Sequence, residues 1–219
     1  MKKRLVIFGC GEIGQLAHYY FSRDSDYEVV AFTVDRDHLP GPVFCGLPVV
    51  AFDRVADVYP PSAYDFFVAL SYSKLNAVRM GKYAEAKALG YKLASFISPL
   101  ATVLNGGRIG DNCFVFEDNT IQPFVCIGDN VTLWSGNHIG HHGQIKDHVF
   151  FTSHVVLSGH CVVDSYSFFG VNSTIRDYLH IAEGTLVGMA AAVIKPTEAW
   201  GVYMGNPAEK RPIPSHKVY

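Results

Sequence analysis

Counting from Ile109, every sixth residue is a branched aliphatic or a phenylalanine, through Val115, Ile121 and Ile127 in unbroken steps to Val187 and Val193. Helices repeat at about 3.6 residues and half-buried strands at about 2, so neither produces this period. A chain that coils in short parallel strands, one hexad to each side, does. The residue four places after the aliphatic one is small or β-branched at nearly every hexad, as at Cys113, Val125, Gly143, Cys161, Ser173 and Ala191, with Leu179 the exception. Three strands per turn stack each hexad on the one eighteen residues later and fill the axis of a triangular solenoid with aliphatic side chains. Glycine follows the aliphatic position at Gly110, Gly128, Gly140, Gly170 and Gly188, where a chain turning a corner is expected to use a permissive residue.

Ahead of residue 97 the rhythm changes. Leu5–Phe8 reads as a buried strand, followed by Gly9-Cys10-Gly11-Glu12-Ile13-Gly14 and an apolar helical stretch to about Phe21. Tyr27–Thr33 is a second strand with Asp35 at its end, Pro40–Cys45 a loop, Leu47–Phe52 and Asp65–Leu70 two further strands, and Lys74–Leu89 a helix stopped by Gly90. This alternation predicts an α/β, Rossmann-like domain over residues 1–96, a small parallel sheet with flanking helices, ahead of an all-β parallel coil over residues 97–219. The Gly-x-Gly-x-x-Gly string follows a strand and opens a helix. Its glycines therefore permit a tight turn and the approach of a phosphate to the helix N-terminus, while Asp35 stands where an acidic side chain grips a ribose or base edge. About ninety residues leave little room for the second half of a dinucleotide fold, so a nucleotide attached to something else is expected.

Composition narrows the function classes. A net charge of −2 and scattered basic residues argue against nucleic acid as partner. The Lys2-Lys3-Arg4 start precedes only Leu5 to Phe8 before Gly9, too short for a signal sequence or a membrane span, so a soluble cytoplasmic protein is expected. The five cysteines show no CxxC pairing and read as reduced, with Cys113 and Cys161 filling small core slots of the coil.

From Gly9-Cys10-Gly11 to the closing Gly205-Asn206-Pro207-Ala208, the chain resembles bacterial sugar-nucleotide N-acetyltransferases, in which a nucleotide-binding domain precedes a left-handed β-helix of hexapeptide repeats. The family it resembles includes enzymes acting on UDP-bacillosamine precursors and GDP-perosamine, and proteins described as sialic acid O-acetyltransferases. The resemblance implies a left-handed coil, a homotrimer, acetyl-CoA bound between adjacent coils, and a nucleotide-linked amino sugar held by the N-terminal domain. It assigns Gly9, Gly11, Gly14 and Asp35 to the nucleotide, with Ser71 and Tyr72, in the loop after the fourth strand, as further substrate contacts. For acetyl-CoA it points to Gly170, Gly188, Ala190 and Ile194, with Lys195, Lys210 and Arg211 able to meet phosphates. Relatives carry a basic residue directly after Gly-x-Pro-Ala, where Glu209 stands here.

The histidines sort by their phase in the repeat. His142, His148, His154 and His160 each stand three places after the aliphatic residue. The first three fall on successive sides of the triangle and cannot converge on one ion, so no same-chain metal cluster and no metal cofactor is expected. His142 and His160, eighteen apart, should stack on adjacent turns at about 4.8 Å. His141 occupies the corner Ile139-Gly140-His141-His142; in the relatives a histidine in this Ile-x-His context is the general base, followed by an acidic residue that His142 replaces here. His141 is thus the first catalytic candidate, with His142 and His154 behind it. An imidazole suffices to take the proton from an attacking sugar amine or hydroxyl, with backbone N–H groups at Gly170 or Gly188 as candidates to stabilise the oxyanion. Direct acetyl transfer to a 4-amino-4,6-dideoxy sugar nucleotide is the main reading. Sugar O-acetylation, a γ-carbonic-anhydrase-like metalloenzyme with zinc shared between subunits, and a non-catalytic nucleotide-binding trimer are the alternatives.

Overall fold

The computed structural model describes residues 2–218, and they form two compact units. The first comprises the chain up to Ser71 together with Arg79–Phe96; the second comprises Tyr72–Val78 and the chain from Ile97 onward. The division therefore differs from a single cut after residue 96: a seven-residue segment of the N-terminal half belongs with the coil.

In the first unit the elements run β1 (Lys3–Phe8), α1 (Glu12–Asp24), β2 (Tyr27–Val34), β3 (Val43–Phe44), β4 (Leu47–Ala51), α2 (Val55–Val58), β5 (Asp65–Val68) and, from Arg79 onward, α3 (Ala77–Ala88). The sheet order is β3-β4-β2-β1-β5, parallel except for the β3–β4 hairpin, whose first strand lies inside the expected loop 40–45. Leu5 to Phe8 are buried without alternation, as a central parallel strand covered on both faces requires. Val6 and Phe8 pack with Phe52, Phe66, Val68 and Tyr83, whereas Phe21 of α1 meets the rings of Phe67 at 5.0 Å and Phe96 at 5.4 Å. Helix α3 starts at Ala77 instead of Lys74. Lys74, Leu75 and Asn76 take φ of 50°, 50° and 67°, a left-handed turn that a right-handed helix cannot contain.

The second unit is a three-sided parallel coil of two-residue strands, each paired with the strand eighteen residues away. The aliphatic positions stack in register, as in Val115, Leu133, Phe151, Phe169 and Val187 on one side and Ile121, Ile139, Leu157, Ile175 and Val193 on the next. Together with the small-slot residues they form one continuous core. Each turn donates backbone N–H groups to the next, for example Phe114 N to Val131 O at 2.9 Å and Thr132 N to Val149 O at 3.0 Å. The coil ends in Val202–Met204, which pairs antiparallel with Glu209–Arg211 across Gly205-Asn206-Pro207-Ala208.

The corners are not built as the glycines suggested. The left-handed residue lies two places later, three after the aliphatic, and is commonly not glycine: Asn112, Phe124, His142, His154, His160 and Tyr178 have φ between 50° and 66°. Gly110, Gly140 and Gly170 are needed instead for close approach of the neighbouring turn. A Cβ on Gly140 would lie 2.5 Å from Gly159 N, and one on Gly170 2.4 Å from Met189 N.

One outward face of the coil is apolar. Phe150, Phe168, Leu186 and Val202 on that face are buried beneath Leu75 and Tyr72, with Trp134 and Trp200 alongside. The Tyr72 ring lies 5.2 Å from that of Phe150 and 4.9 Å from that of Phe168. On another side, the Asp164 carboxylate is held by Lys146 Nζ and His180 Nε2, each at 2.6 Å. Partial burial pushes its pKa up, but the hydrogen bonds and charges of Lys146 and His180 prevail and leave it below the usual carboxylate range. A carboxyl depressed on folding stabilises the protein above its unfolded pKa of about 3.9, and that contribution disappears as pH falls through the folded value. Asp164→Asn is therefore expected to cost about 1 kcal/mol at pH 7 and progressively less as pH falls below about 3.9 in denaturant unfolding. A cost that does not change with pH would show that the charge contributes nothing.

Candidate active site

His141 follows the strand His138–Ile139, at the corner where Gly140 lets two turns meet. Its backbone N–H donates to Gln122 Oε1 at 2.9 Å, and its carbonyl accepts from His160 N at 2.9 Å. Its exposed ring lies over Gly159, one turn along: a Cβ there would stand 2.8 Å from Cε1 and 3.0 Å from Nε2. His141 Nδ1 is 3.1 Å from His142 Nδ1. The His142 ring is in turn stacked between Phe124 at 4.6 Å and His160 at 4.8 Å, and His160 on Tyr178 at 4.5 Å. The expected stacking of His142 on His160 is thus present, inside a column that the eighteen-residue repeat builds.

This column supplies what a carboxylate would otherwise provide. Two facing Nδ1 atoms at hydrogen-bond distance share one proton. Loss of hydration within the stack lowers the His142 pKa, and the charges of His160 and His141 lower it further. A neutral His142 can accept the proton of His141 Nδ1–H, which leaves the His141 Nε2 lone pair free, the tautomer a general base needs.

The same column overturns one expectation about metals. Spacing separates His142, His148 and His154, yet His141, His142 and His160 offer ligand atoms that all lie within 4.8 Å of one another. Sequence neighbours at a corner and the residue one turn above converge even though hexad neighbours do not.

The remaining candidates fall on particular corners. His154, exposed, lies with its ring over Gly136 on the corner that carries Gly170, Gly188 and Ala190, a full side of the triangle from His141. Ile194 and Lys195, both exposed, stand on the His141 corner, three turns further along. The backbone N–H groups of Gly170 and Gly188 bond Val187 O at 2.7 Å and Tyr203 O at 2.9 Å. They belong to the coil ladder, so the oxyanion donor must be sought elsewhere. Lys210 is paired with Glu198, while Lys195 and Arg211 are exposed.

In the first unit the glycine string joins β1 to α1. Gly9 has φ +120° and would place a Cβ 2.5 Å from Ala69 O; a Cβ on Gly14 would meet Gly9 O at 2.0 Å; Gly11 faces open space. Asp35 Oδ1 accepts from Lys82 Nζ at 2.8 Å, and that ammonium also bonds Glu85 and lies over the rings of Phe8 and Phe52. Burial pulls the Lys82 pKa down, but its bonds to the two carboxylates hold it above the ordinary lysine value. Ser71 closes this unit's strand-five loop, whereas Tyr72 belongs to the second unit and packs on the coil face. Sequence reading missed Lys82, Gln122, Gly159 and His160 as partners; for the last three, a step of eighteen or nineteen from His141 was the available signal.

No family model matches the chain. The acetyltransferase domain of PglB from Neisseria gonorrhoeae, solved with acetyl coenzyme A, superposes with a TM-score of 0.85 at 24% identity over 96% of this chain and 100% of that one. A histidine-to-asparagine variant of perosamine N-acetyltransferase from Caulobacter crescentus, in complex with CoA and GDP-perosamine, gives 0.83 at 22% identity, covering 94% and 96%. The chain has the fold of these hexapeptide-repeat sugar N-acetyltransferases. Among curated proteins, the acyl-carrier-protein-dependent UDP-N-acetylglucosamine O-acyltransferase of Pseudomonas savastanoi is 30% identical over 110 residues, 47% of this chain. The chain spans 43% of the length of that relative. Within this fold no helix of the described residues is long and apolar enough to cross a membrane.

The ring of His141 rests on a glycine that has room for no side chain. Gly159→Ala should leave the coil intact, because the intruding methyl meets only the end of an exposed side chain, yet turn the imidazole away from its position. Acetyl transfer is expected to fall by about one to two orders of magnitude with an unchanged melting curve. Full activity would show that the position of the His141 ring over Gly159 is immaterial.

Proposed function

We propose that the chain is an acetyl-CoA-dependent N-acetyltransferase acting on the amino group of a nucleotide-linked 4-amino-4,6-dideoxy sugar, working in the cytoplasm as a homotrimer. The observation that carries this reading is His141, exposed at a coil corner with its Nδ1 3.1 Å from that of His142. In the reaction the neutral amine attacks the thioester carbonyl as His141 Nε2 removes its proton; the C–N bond forms, the C–S bond breaks, and CoA leaves as a thiolate that is then protonated. No covalent enzyme intermediate is needed, because the neutral amine attacks the thioester directly and the thiolate is a good leaving group.

Two further features support the reading. Strand order β4-β2-β1-β5 is that of the first half of a doubly wound, Rossmann-like domain, and the open space at Gly11 is where a phosphate can approach the backbone. Within one chain, His141 and Lys195 share one corner while Gly170, Gly188, Ala190 and His154 share another. A trimer would set one chain's base corner against the other corner of its neighbour, making a cleft for the acyl donor between them.

The deciding experiment is thiol release from acetyl-CoA against a panel of UDP-, GDP- and dTDP-linked 4-amino sugars and their 4-hydroxy counterparts. Turnover confined to an amine is expected. Turnover only of the hydroxy sugars would make the protein an O-acetyltransferase, and turnover of none would overturn the reading.

A further inference from the structure

The geometry points to a binding site for a divalent transition-metal ion of the zinc type at His141, His142 and His160, whose occupation switches acetyl transfer off. The inhibitory consequence rests on the reading of His141 as the base; the site itself rests on the histidine geometry. One ligand atom from each of the three imidazoles lies within 4.8 Å of the others. A tetrahedral zinc with metal–nitrogen bonds of about 2.0–2.1 Å sets its nitrogens about 3.4 Å apart. The Nδ1 atoms of His141 and His142, at 3.1 Å, already have nearly that separation.

The third ligand comes from the adjacent turn. His160 is edge-on to His141, with ring centroids 5.0 Å apart, and face-on to His142 at 4.8 Å. A metal lies in the plane of a ligating ring, so His160 must tilt out of the stack to complete the site. His141 and His142 are exposed and His160 is partly so, which leaves room for that motion. Three imidazole ligands with an open fourth position suit zinc, nickel or copper, whereas magnesium and calcium require oxygen ligands that this donor set lacks.

Coordination also explains why the ion would inhibit. A metal joining the two Nδ1 atoms takes the place of the proton they share, and a neutral His141 must then carry its proton on Nε2. The lone pair that removes the amine proton is lost although the ring has not left its corner. A carboxylate beside the base would offer a hard oxygen donor, whereas the imidazole of His142 is a borderline nitrogen ligand that suits zinc, nickel or copper.

The test uses the full chain, stripped with a chelator and titrated with Zn2+ in competition with a chromophoric chelator. One ion per chain with roughly micromolar or tighter affinity is expected, with no uptake of Mg2+. His142→Gln and His160→Gln should each weaken binding by about tenfold or more. In the transfer assay, Zn2+ at saturating concentration should stop the wild-type protein, a chelator should restore it, and His160→Gln should need about tenfold more Zn2+ relative to its own metal-free rate. Absence of stoichiometric binding, or binding unchanged by both substitutions, overturns the site. Stoichiometric binding without transfer to any nucleotide-linked sugar upholds the site and removes the acetyltransferase reading; transfer that zinc does not inhibit removes the switch.

Discussion

Replacing His141 by alanine is expected to slow acetyl transfer by about 10²- to 10⁴-fold, the usual contribution of a positioned general base. The loss should appear in kcat, because the imidazole is needed as the amine gives up its proton and not for holding either substrate. Folding should be unaffected. The ring is exposed, and the bonds that tie its residue into the coil, from the backbone N–H to Gln122 and from His160 to the carbonyl, do not involve the side chain. Thermal unfolding and the affinity for acetyl-CoA are the controls. Undiminished turnover in His141→Ala would remove this residue from the mechanism and direct attention to His154 on the other corner.

The second large effect concerns the glycine string of the first unit, where two glycines in one motif should behave oppositely. Gly14→Ala forces a methyl to within 2.0 Å of the Gly9 carbonyl oxygen, a backbone atom fixed at the end of β1. Backbone must move to admit it, so a loss of about 3 kcal/mol or more is expected, at or beyond the upper end of ordinary overpacking. Gly11→Ala meets nothing within 4 Å, and as a helix N-cap change it should cost at most about 1 kcal/mol. Its effect should fall on ligand binding, through the space that the missing Cβ leaves for a phosphate. Denaturant unfolding and calorimetric titration with the accepted sugar nucleotide separate the two. If Gly11→Ala bound the nucleotide as well as the wild type, the string would be purely structural.

Much of this architecture is legible from residue order because a coil repeats one local rule. The register of Val115 on Leu133 and of Ile121 on Ile139 follows from a period of six and three sides, and so does the stacking of His142 on His160. The corners were less legible. Glycine after the aliphatic residue reads as conformational freedom, but its cause is a backbone passing about one bond-contact away on the next turn, which depends on stacking and not on local φ. The covering of the apolar face by Tyr72 and Leu75 had a visible cue in Phe150, Phe168 and Leu186, all one place before aliphatic positions on the same side. Nothing local to Tyr72 says that it answers that cue.

By itself, then, the sequence determined the parallel coil, the stacked axis, the α/β unit ahead of it and His141 as the residue to test, since each depends on periodicity or on a short motif whose physics is local. Only the tertiary structure decided that His142 turns its Nδ1 toward that of His141, that the His141 ring rests on Gly159, that Asp35 is paired with Lys82, and that three imidazoles meet at one corner. Apart from the one between the neighbours His141 and His142, those contacts join residues across a turn of the coil or between separate elements of the first unit. Their geometry is set by how far apart neighbouring strands lie and which way each side chain leaves its corner, and no period in the chain encodes either.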